Sequence, residues 1–373
     1  MKTDARLTPL AASLPASVPF VGPEAQERRR GAPFTARLGA NENGFGPSPK
    51  AIAAMRKAAG DVWMYGDPEN HDLRQALAAH HECQPENILV GEGIDALLGY
   101  TARLMVGAGD AVVTSAGAYP TFNYHVTGYG GQIHAVPYTG DYEDPERLNA
   151  KAREVGAKLI YISNPDNPMG TWHSGAMMKE MVQNVPDGAL LLMDEAYIEL
   201  APPGTAPVIA ATDPRVLRFR TFSKGYGMAG ARIGYAIGAA PVIAAFERVR
   251  NHFGVNRIAQ AGALAALKDD AWLAHVQAEV GAARTRIAEI GAQNGLTALP
   301  SATNFVTLDC GSDGAFAGNL MAALLDAGIF VRKPFAAPQD RCVRIGTGPA
   351  ADLDAFATAL PAALVTAKGR ALL

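Results

Sequence analysis

Six short apolar runs, Ile88 to Val90, Ala111 to Thr114, Ile133 to Pro137, Leu159 to Ser163, Ala189 to Met193 and Val216 to Arg220, alternate with helical patterns along the chain. Runs that stay apolar from end to end mark strands covered on both faces, and the stretches between them have room for a helix. The pattern predicts an α/β fold, a mostly parallel central sheet with helices on both faces. From about Ala259 an alanine-rich helix with charges spaced along it runs to Asn294. After it come a strand at Asn304 to Leu308, a helix at Ala315 to Ala327, strands near Phe330 and Val343, and a final helix from Ala351. These read as a smaller α+β carboxyl-terminal domain. The expected division is an amino-terminal arm over 1–40, a large domain over 41–258 and a small one over 259–373. A chain of 373 residues, 49% hydrophobic, is long enough for two domains.

The strongest chemical signal is FRTFSKGYGMAGARIGY, where Lys224 follows Thr221 and Ser223 and precedes Arg232. A lysine among hydroxyls, glycines and a fixed cation suits capture of an aldehyde that carries a phosphate: the amine forms an imine and the other donors hold the anion. This points to pyridoxal 5′-phosphate. The plain alternative is a solvated surface lysine, since lysines are rarely buried. The neighbours weigh against it. ALLLMDEAYIEL delivers Asp194 at the end of a buried strand and Tyr197 three residues later. A carboxylate placed there needs a cation, such as a protonated pyridine nitrogen, unless it merely caps the next segment. KLIYISNPDNPMG brings Asn164 and Asn167 to the same strand edge, where open α/β sheets bind ligands; an Asx turn is the structural alternative for Asn164.

Other features bound the function. A net charge of −3 argues against a nucleic-acid partner. No apolar run looks long enough to span a membrane. The prolines and Asp4 of MKTDARLTPLAASLPASVPF spoil a signal-peptide core and suggest a flexible arm. Cys83, Cys310 and Cys342 are scattered and odd in number, so no disulfide framework is expected and the cytoplasm is the default. His80, His81 and Cys83 lie close together, but adjacent helical histidines face different ways, and no metal site is expected. His252 and Asn256 precede the long helix, at a hinge, on the surface or in the pocket wall.

The chain resembles the fold-type I pyridoxal-phosphate aminotransferases, and within them the histidinol-phosphate aminotransferase-like group. The resemblance runs from about Leu38 to Leu360 and is carried by eight segments in order: GANENGFGPSP, MYGDPENHDLRQALA, GEGIDALL, AYPTFNY, NPDNPMG, MDEAYIE, TFSKGYGMAGARIGY and CVRIGTGP. It implies that Lys224 binds the cofactor and moves the proton between carbons, that Asp194 keeps the pyridine nitrogen protonated, and that Asn167 and Tyr197 contact the ring's 3-oxygen. Gly93, Ile94 and Asp95 open a helix whose amides face the phosphate, with Thr221, Ser223 and Arg232 completing the cup. Tyr119 aligns with the aromatic residue that stacks on the ring. Tyr65 aligns with a tyrosine that reaches the phosphate from the other subunit, which implies a homodimer with shared active sites. Arg344 aligns with the arginine that grips the substrate's acidic group, with Arg332 a weaker candidate and Asn41 in a loop near the substrate. The first forty residues are expected to pack with the small domain or the partner subunit.

There are departures. Phe20, in VPFVGPE, stands where related enzymes usually carry a tyrosine that meets a substrate phosphate; Ala96 replaces an acidic residue and Met169 a threonine. The expected reaction moves an amino group to 2-oxoglutarate from histidinol phosphate or from an aromatic or apolar amino acid. A decarboxylase of amino-acid phosphates on the same scaffold is the nearer alternative. A nicotinamide-dependent oxidoreductase, with GEGIDA as the fingerprint and Asp110 on the ribose, is the remote one.

Overall fold

The computed structural model describes residues 6–16 and 21–370. Twelve strands are assigned among them: β1 (Ala36–Arg37), β2 (Ile88–Gly91), β3 (Ala111–Ser115), β4 (Gln132–Val136), β5 (Leu159–Ser163), β6 (Leu190–Asp194), β7 (Val216–Thr221), β8 (Gly234–Ile237), β9 (Thr297–Ala298), β10 (Phe305–Asp309), β11 (Ile329–Phe330) and β12 (Cys342–Gly346). Seven form one sheet in the order β2-β8-β7-β6-β5-β3-β4. Neighbours from β7 through β6, β5 and β3 to β4 pair in parallel, and β8 alone runs the other way between β2 and β7. Strands β5 and β6 are buried at every position, as apolar runs between two helical layers require. All six expected strands are present. The antiparallel β8 is an addition: its four residues begin at Gly234 inside the lysine-bearing stretch and do not stand out there as a separate run.

One apolar cluster lies against the large sheet and a separate one lies in the carboxyl-terminal part. Around the large sheet, Leu97, Phe122, Tyr161, Leu192 and Phe219 are fully buried together. In the other, Val306, Leu308, Leu320, Leu324, Ile345, Phe356 and Leu360 pack with Ile287 and Ile290. Here β12, β10 and β9 form an antiparallel sheet. The amino-terminal segment joins this smaller unit, because β1 pairs in parallel with β11, Ala36 opposite Ile329.

The helix expected over 259–294 is two helices, Arg257–Leu267 and Asp270–Gln293. Asp269 sits at the break and accepts hydrogen bonds from Lys50 Nζ at 2.8 Å and from the Ser48 hydroxyl. That tertiary anchor has no local signature. Ala259, Ala263 and Leu267 of the first helix pack with Leu73, Leu77 and Phe222 against the large sheet, whereas Ile287 and Ile290 of the second belong to the small cluster.

One helix departs from the expectation that no apolar run is long enough to span a membrane. Ala350–Arg370 is long and apolar enough to cross a membrane by length and composition, with a mean hydropathy of 1.3. Its apolarity has a second use, since Leu353, Phe356, Leu360, Ala363 and Ala367 are buried in the small cluster.

Candidate active site

Strands β2, β3, β5, β6 and β7 all point their carboxyl ends to one edge of the sheet, and each is followed by a candidate residue: Gly93, Tyr119, Asn167, Tyr197 and Lys224. Strand β8 starts at that same edge two residues after Arg232, because it runs in the opposite direction. Together with Asn41, Arg332 and Arg344 these segments line a cavity of about 400 Å³.

Lys224 is at its floor. Its Nζ donates to the Asn41 carbonyl at 2.8 Å. Burial, then the charge of Arg344, holds its pKa down at about 8. Asn41 has φ +54°, a left-handed conformation that asparagine adopts more readily than most residues. Its amide donates to Tyr197 Oη at 3.0 Å, and its carbonyl also accepts from Asn304 Nδ2 at 2.9 Å. Asn41 Oδ1 is buried with no hydrogen-bond partner.

Asp194 ends β6 only 6% exposed. Its Oδ2 accepts from the Tyr161 hydroxyl at 2.8 Å and its Oδ1 from the Ala196 amide at 3.0 Å. Burial pushes its pKa up to about 6, and Glu195 adds to that rise while Tyr161, the Ala196 amide and Lys224 oppose it. No arginine or lysine makes a salt bridge with Asp194 among the described residues. A buried carboxylate that still ionises at neutral pH is suited to a cationic ligand atom.

The anion cup is equally specific. Gly93, at φ +88°, precedes the helix Ile94–Met105. A Cβ on Gly93 would lie 2.6 Å from Arg232 Nη2, and one on Gly234 would lie 3.2 Å from the Ile94 nitrogen, so both glycines keep the cup open. Thr221 Oγ1 and Ser223 Oγ share a hydrogen bond of 3.0 Å, and Arg232 Nη1 reaches the Ala229 carbonyl at 3.0 Å. Hydroxyls, helix amides and a guanidinium are the donors a phosphate monoester needs. With Lys224 for an aldehyde and Asp194 for a ring nitrogen, the donor set fits pyridoxal phosphate.

Arg344 and Arg332 face each other across a backbone bridge, Arg344 N to Arg332 O at 2.7 Å. Their return contact, Arg332 N to Arg344 O, is 3.4 Å. Arg344 Nη1 donates to Asn167 Oδ1, Nη2 reaches the Gly39 carbonyl at 3.4 Å, and the buried Nε has no partner. The Arg332 guanidinium donates to the Val21 carbonyl and sits 5.0 Å from the Phe330 ring centre. Neither arginine pairs with a carboxylate among the described residues.

Of the expected site residues, Lys224, Asp194, Tyr197, Asn167, Ile94, Asp95, Tyr119, Thr221, Ser223, Arg232, Arg332, Arg344 and Asn41 line the one cavity. Tyr65 lies outside it, 77% exposed and tilted against Phe253 with ring centres 4.8 Å apart. Phe20 falls outside the described residues. Asn256 caps the helix Arg257–Leu267 through Ala259 N at 2.8 Å, and His252 pairs with Glu247 at 3.5 Å. Asp110 precedes β3 at the opposite sheet edge and is bound to Lys158 at 2.7 Å, so it has no part in a ribose site beside GEGIDA. Sequence reasoning passed over Tyr161 and Glu195. The former reads as an apolar-strand residue and the latter as a solvated acid, yet both are fully buried.

Fold and cavity define an α/β protein with a lysine in a cavity at the carboxyl edge of its large sheet. Residues 35–360 match the family described as aminotransferase class I and II. Histidinol-phosphate aminotransferase of Anaeromyxobacter sp. is 36% identical over 327 residues, covering 87% of this chain and 89% of that protein. The corresponding protein of Moorella thermoacetica is 30% identical over 341 residues, covering 90% and 87%. A crystal structure of histidinol-phosphate aminotransferase from Sinorhizobium meliloti, in complex with pyridoxal-5′-phosphate, superposes with a TM-score of 0.94 at 50% identity over 99% of both chains. The chain belongs to the class I and II aminotransferase family. It is an aminotransferase that uses pyridoxal phosphate, and neither the decarboxylase nor the oxidoreductase reading is favoured.

Proposed function

We propose that this enzyme takes its amino group from histidinol phosphate and passes it to 2-oxoglutarate. The observation that carries the reading is the placement of three guanidinium groups around one cavity, Arg232 beside the helix amides and Arg332 with Arg344 on the small-unit side. Such a cavity suits a pair of ligands with anions at both ends: the cofactor phosphate at Arg232, and a substrate phosphate or carboxylate at the other two. The relatives' names support the choice of donor.

When bound, pyridoxal phosphate supplies a conjugated ring that takes up the electron pair released from the substrate's Cα–H bond. Asp194 holds the ring nitrogen in its protonated form. Tyr197, whose oxygen already accepts from Asn41, would donate a hydrogen bond to the ring's 3-oxygen together with Asn167. Gly93, Ile94, Asp95, Thr221, Ser223 and Arg232 bind the phosphate, and Tyr119 covers the ring face. Lys224 Nζ would hold the cofactor covalently until the substrate amine displaces it, and the amine so freed would take the proton from the substrate Cα; its depressed pKa leaves a usable fraction of free base at neutral pH. Arg344 and Arg332 would hold the two carboxylates of 2-oxoglutarate and, in the other half-reaction, the single phosphate of histidinol phosphate.

The test is a screen of amino donors against 2-oxoglutarate, with histidinol phosphate and phenylalanine compared in the wild type and in Arg344→Ala. Removing a bidentate anion contact is expected to raise KM for 2-oxoglutarate by roughly ten- to a hundredfold. An unchanged KM takes Arg344 out of the pocket, and a preference for phenylalanine overturns the assignment of the donor.

We also propose a homodimer with shared active sites. Val62, Trp63, Tyr65 and Phe253 are exposed at 64%, 80%, 77% and 52%, an apolar surface that a second copy would cover while Tyr65 reaches the partner's phosphate. Sedimentation equilibrium of the purified chain is expected to give twice the chain mass; a monomer at micromolar concentration rules this out. The three cysteines are free, which supports the cytoplasm as its location. We place the division between large and small units at the break before Asp270, following the two apolar clusters.

A further inference from the structure

The parallel pairing of β5 with β6 sets Ser163 opposite Asp194 and Tyr161 opposite Leu192. Side chains alternate along a strand, so Tyr161 and Ser163 share a face with Asp194, and the diagonal from Tyr161 is within reach of a long side chain. The result is a chain of hydrogen bonds. Ser163 Oγ donates to Tyr161 Oη at 3.3 Å, and the Tyr161 hydroxyl donates to Asp194 Oδ2 at 2.8 Å. The Tyr161 ring is stacked on Phe122, centres 4.9 Å apart and planes 18° from parallel, which fixes where the hydroxyl points. Both Tyr161 and Phe122 are fully buried.

We propose that Tyr161 is a positioning residue for the reaction: its hydroxyl holds Asp194 in the ionised form that partners the ring nitrogen of the cofactor. The proposal rests on the reading of Asp194 given above. A tyrosine that only filled the core would gain nothing from its hydroxyl, and phenylalanine would pack there equally well. The oxygen has instead been placed on a buried carboxylate whose surroundings favour protonation. Glu195 lies next to Asp194 and Glu143 is close by, and Lys224 opposes them. Burial raises the Tyr161 pKa well above its ordinary value, so the hydroxyl keeps its proton and remains a donor throughout the working pH range. A hydrogen bond to a carboxylate favours the charged form. Without it, the proton shared between Asp194 and the ring nitrogen shifts toward the carboxyl group.

The experiment uses the full-length holoenzyme loaded with cofactor labelled with ¹⁵N in the ring, and follows the ring-nitrogen resonance against pH. In Tyr161→Phe the nitrogen is expected to lose its proton at a lower pH than in the wild type. The kcat is expected to fall roughly ten- to a hundredfold, the factor associated with one hydrogen bond to a charged group, while KM for 2-oxoglutarate changes less than about twofold. Replacing Tyr161 by 3-fluorotyrosine, a stronger donor of nearly the same shape, is expected to move the titration the other way, a reversal that a purely structural role would not produce. It also keeps the test decisive if the phenylalanine variant does not fold. Asp194→Asn is the control and is expected to leave the ring nitrogen unprotonated. If it does so while both Tyr161 variants titrate like the wild type, the proposal for Tyr161 fails alone. If the ring nitrogen stays protonated in Asp194→Asn, the reading of Asp194 fails and Tyr161 with it.

Discussion

Lys224→Ala is expected to show no measurable transamination, a loss on the order of ten-thousandfold or more, because one side chain both captures the cofactor and moves the substrate proton. The visible absorption band of the bound cofactor should vanish, and borohydride should leave no adduct on the peptide that contains position 224. The wild type offers a second reading of the same residue. With its pKa near 8, freeing the Lys224 amine at pH 7 costs about 1.4 kcal/mol, against roughly 4.6 kcal/mol for an ordinary lysine. A base with a lowered pKa gains free amine as pH rises to that value and no more beyond it. Cofactor uptake by the apoenzyme should therefore quicken about tenfold per pH unit below 8 and level off above. A trapped adduct in Lys224→Ala, or uptake still climbing steadily to about pH 10, the range of an ordinary lysine, would remove the lysine from this role.

Glu195→Ala is expected to have the largest effect on stability. The Glu195 carboxylate is fully buried and accepts from Arg218 Nη2 at 2.9 Å and from Arg220 Nε at 2.8 Å, while both arginine side chains are 11% exposed. Arg220 has one further acidic neighbour, Glu199 Oε1 at 3.9 Å. Taking one partner from a buried ion network strands the opposite charges, at a cost of about 3 to 5 kcal/mol. In a unit of this size that lowers the melting temperature by on the order of ten degrees. The pairing holds Glu195 well ionised, since the two arginines pull its pKa down against burial. Replacing Glu195, Arg218 and Arg220 together by apolar residues of similar volume should cost less than Glu195→Ala alone. A melting temperature for Glu195→Ala within about two degrees of wild type would show that water or Glu199 takes over the arginines.

The large sheet was readable because β5 and β6, buried at every position between two helical layers, are apolar runs up to their last residues, Ser163 and Asp194. The candidate residues followed, since ligand groups in such sheets come just after the strands. What local pattern could not show was pairing. Strand β8 is short and begins at a glycine, and only its neighbours β2 and β7 make it a strand. The break before Asp270 depends on Ser48 and Lys50, far away in sequence. Tyr161 looks like any buried aromatic until the β5–β6 register brings its hydroxyl to Asp194, and Glu195 looks like a surface acid until Arg218 and Arg220 appear on the adjoining strand.

The groups assigned to the cofactor come from the large sheet, while Arg332 and Arg344 belong to the smaller unit. In the proposed function, chemistry and choice of substrate thus sit largely on separate frames. Repacking around Phe330, which lies under the Arg332 guanidinium, would alter the anion pocket from the smaller frame, whereas Phe305 touches the Tyr197 ring and so joins the two frames.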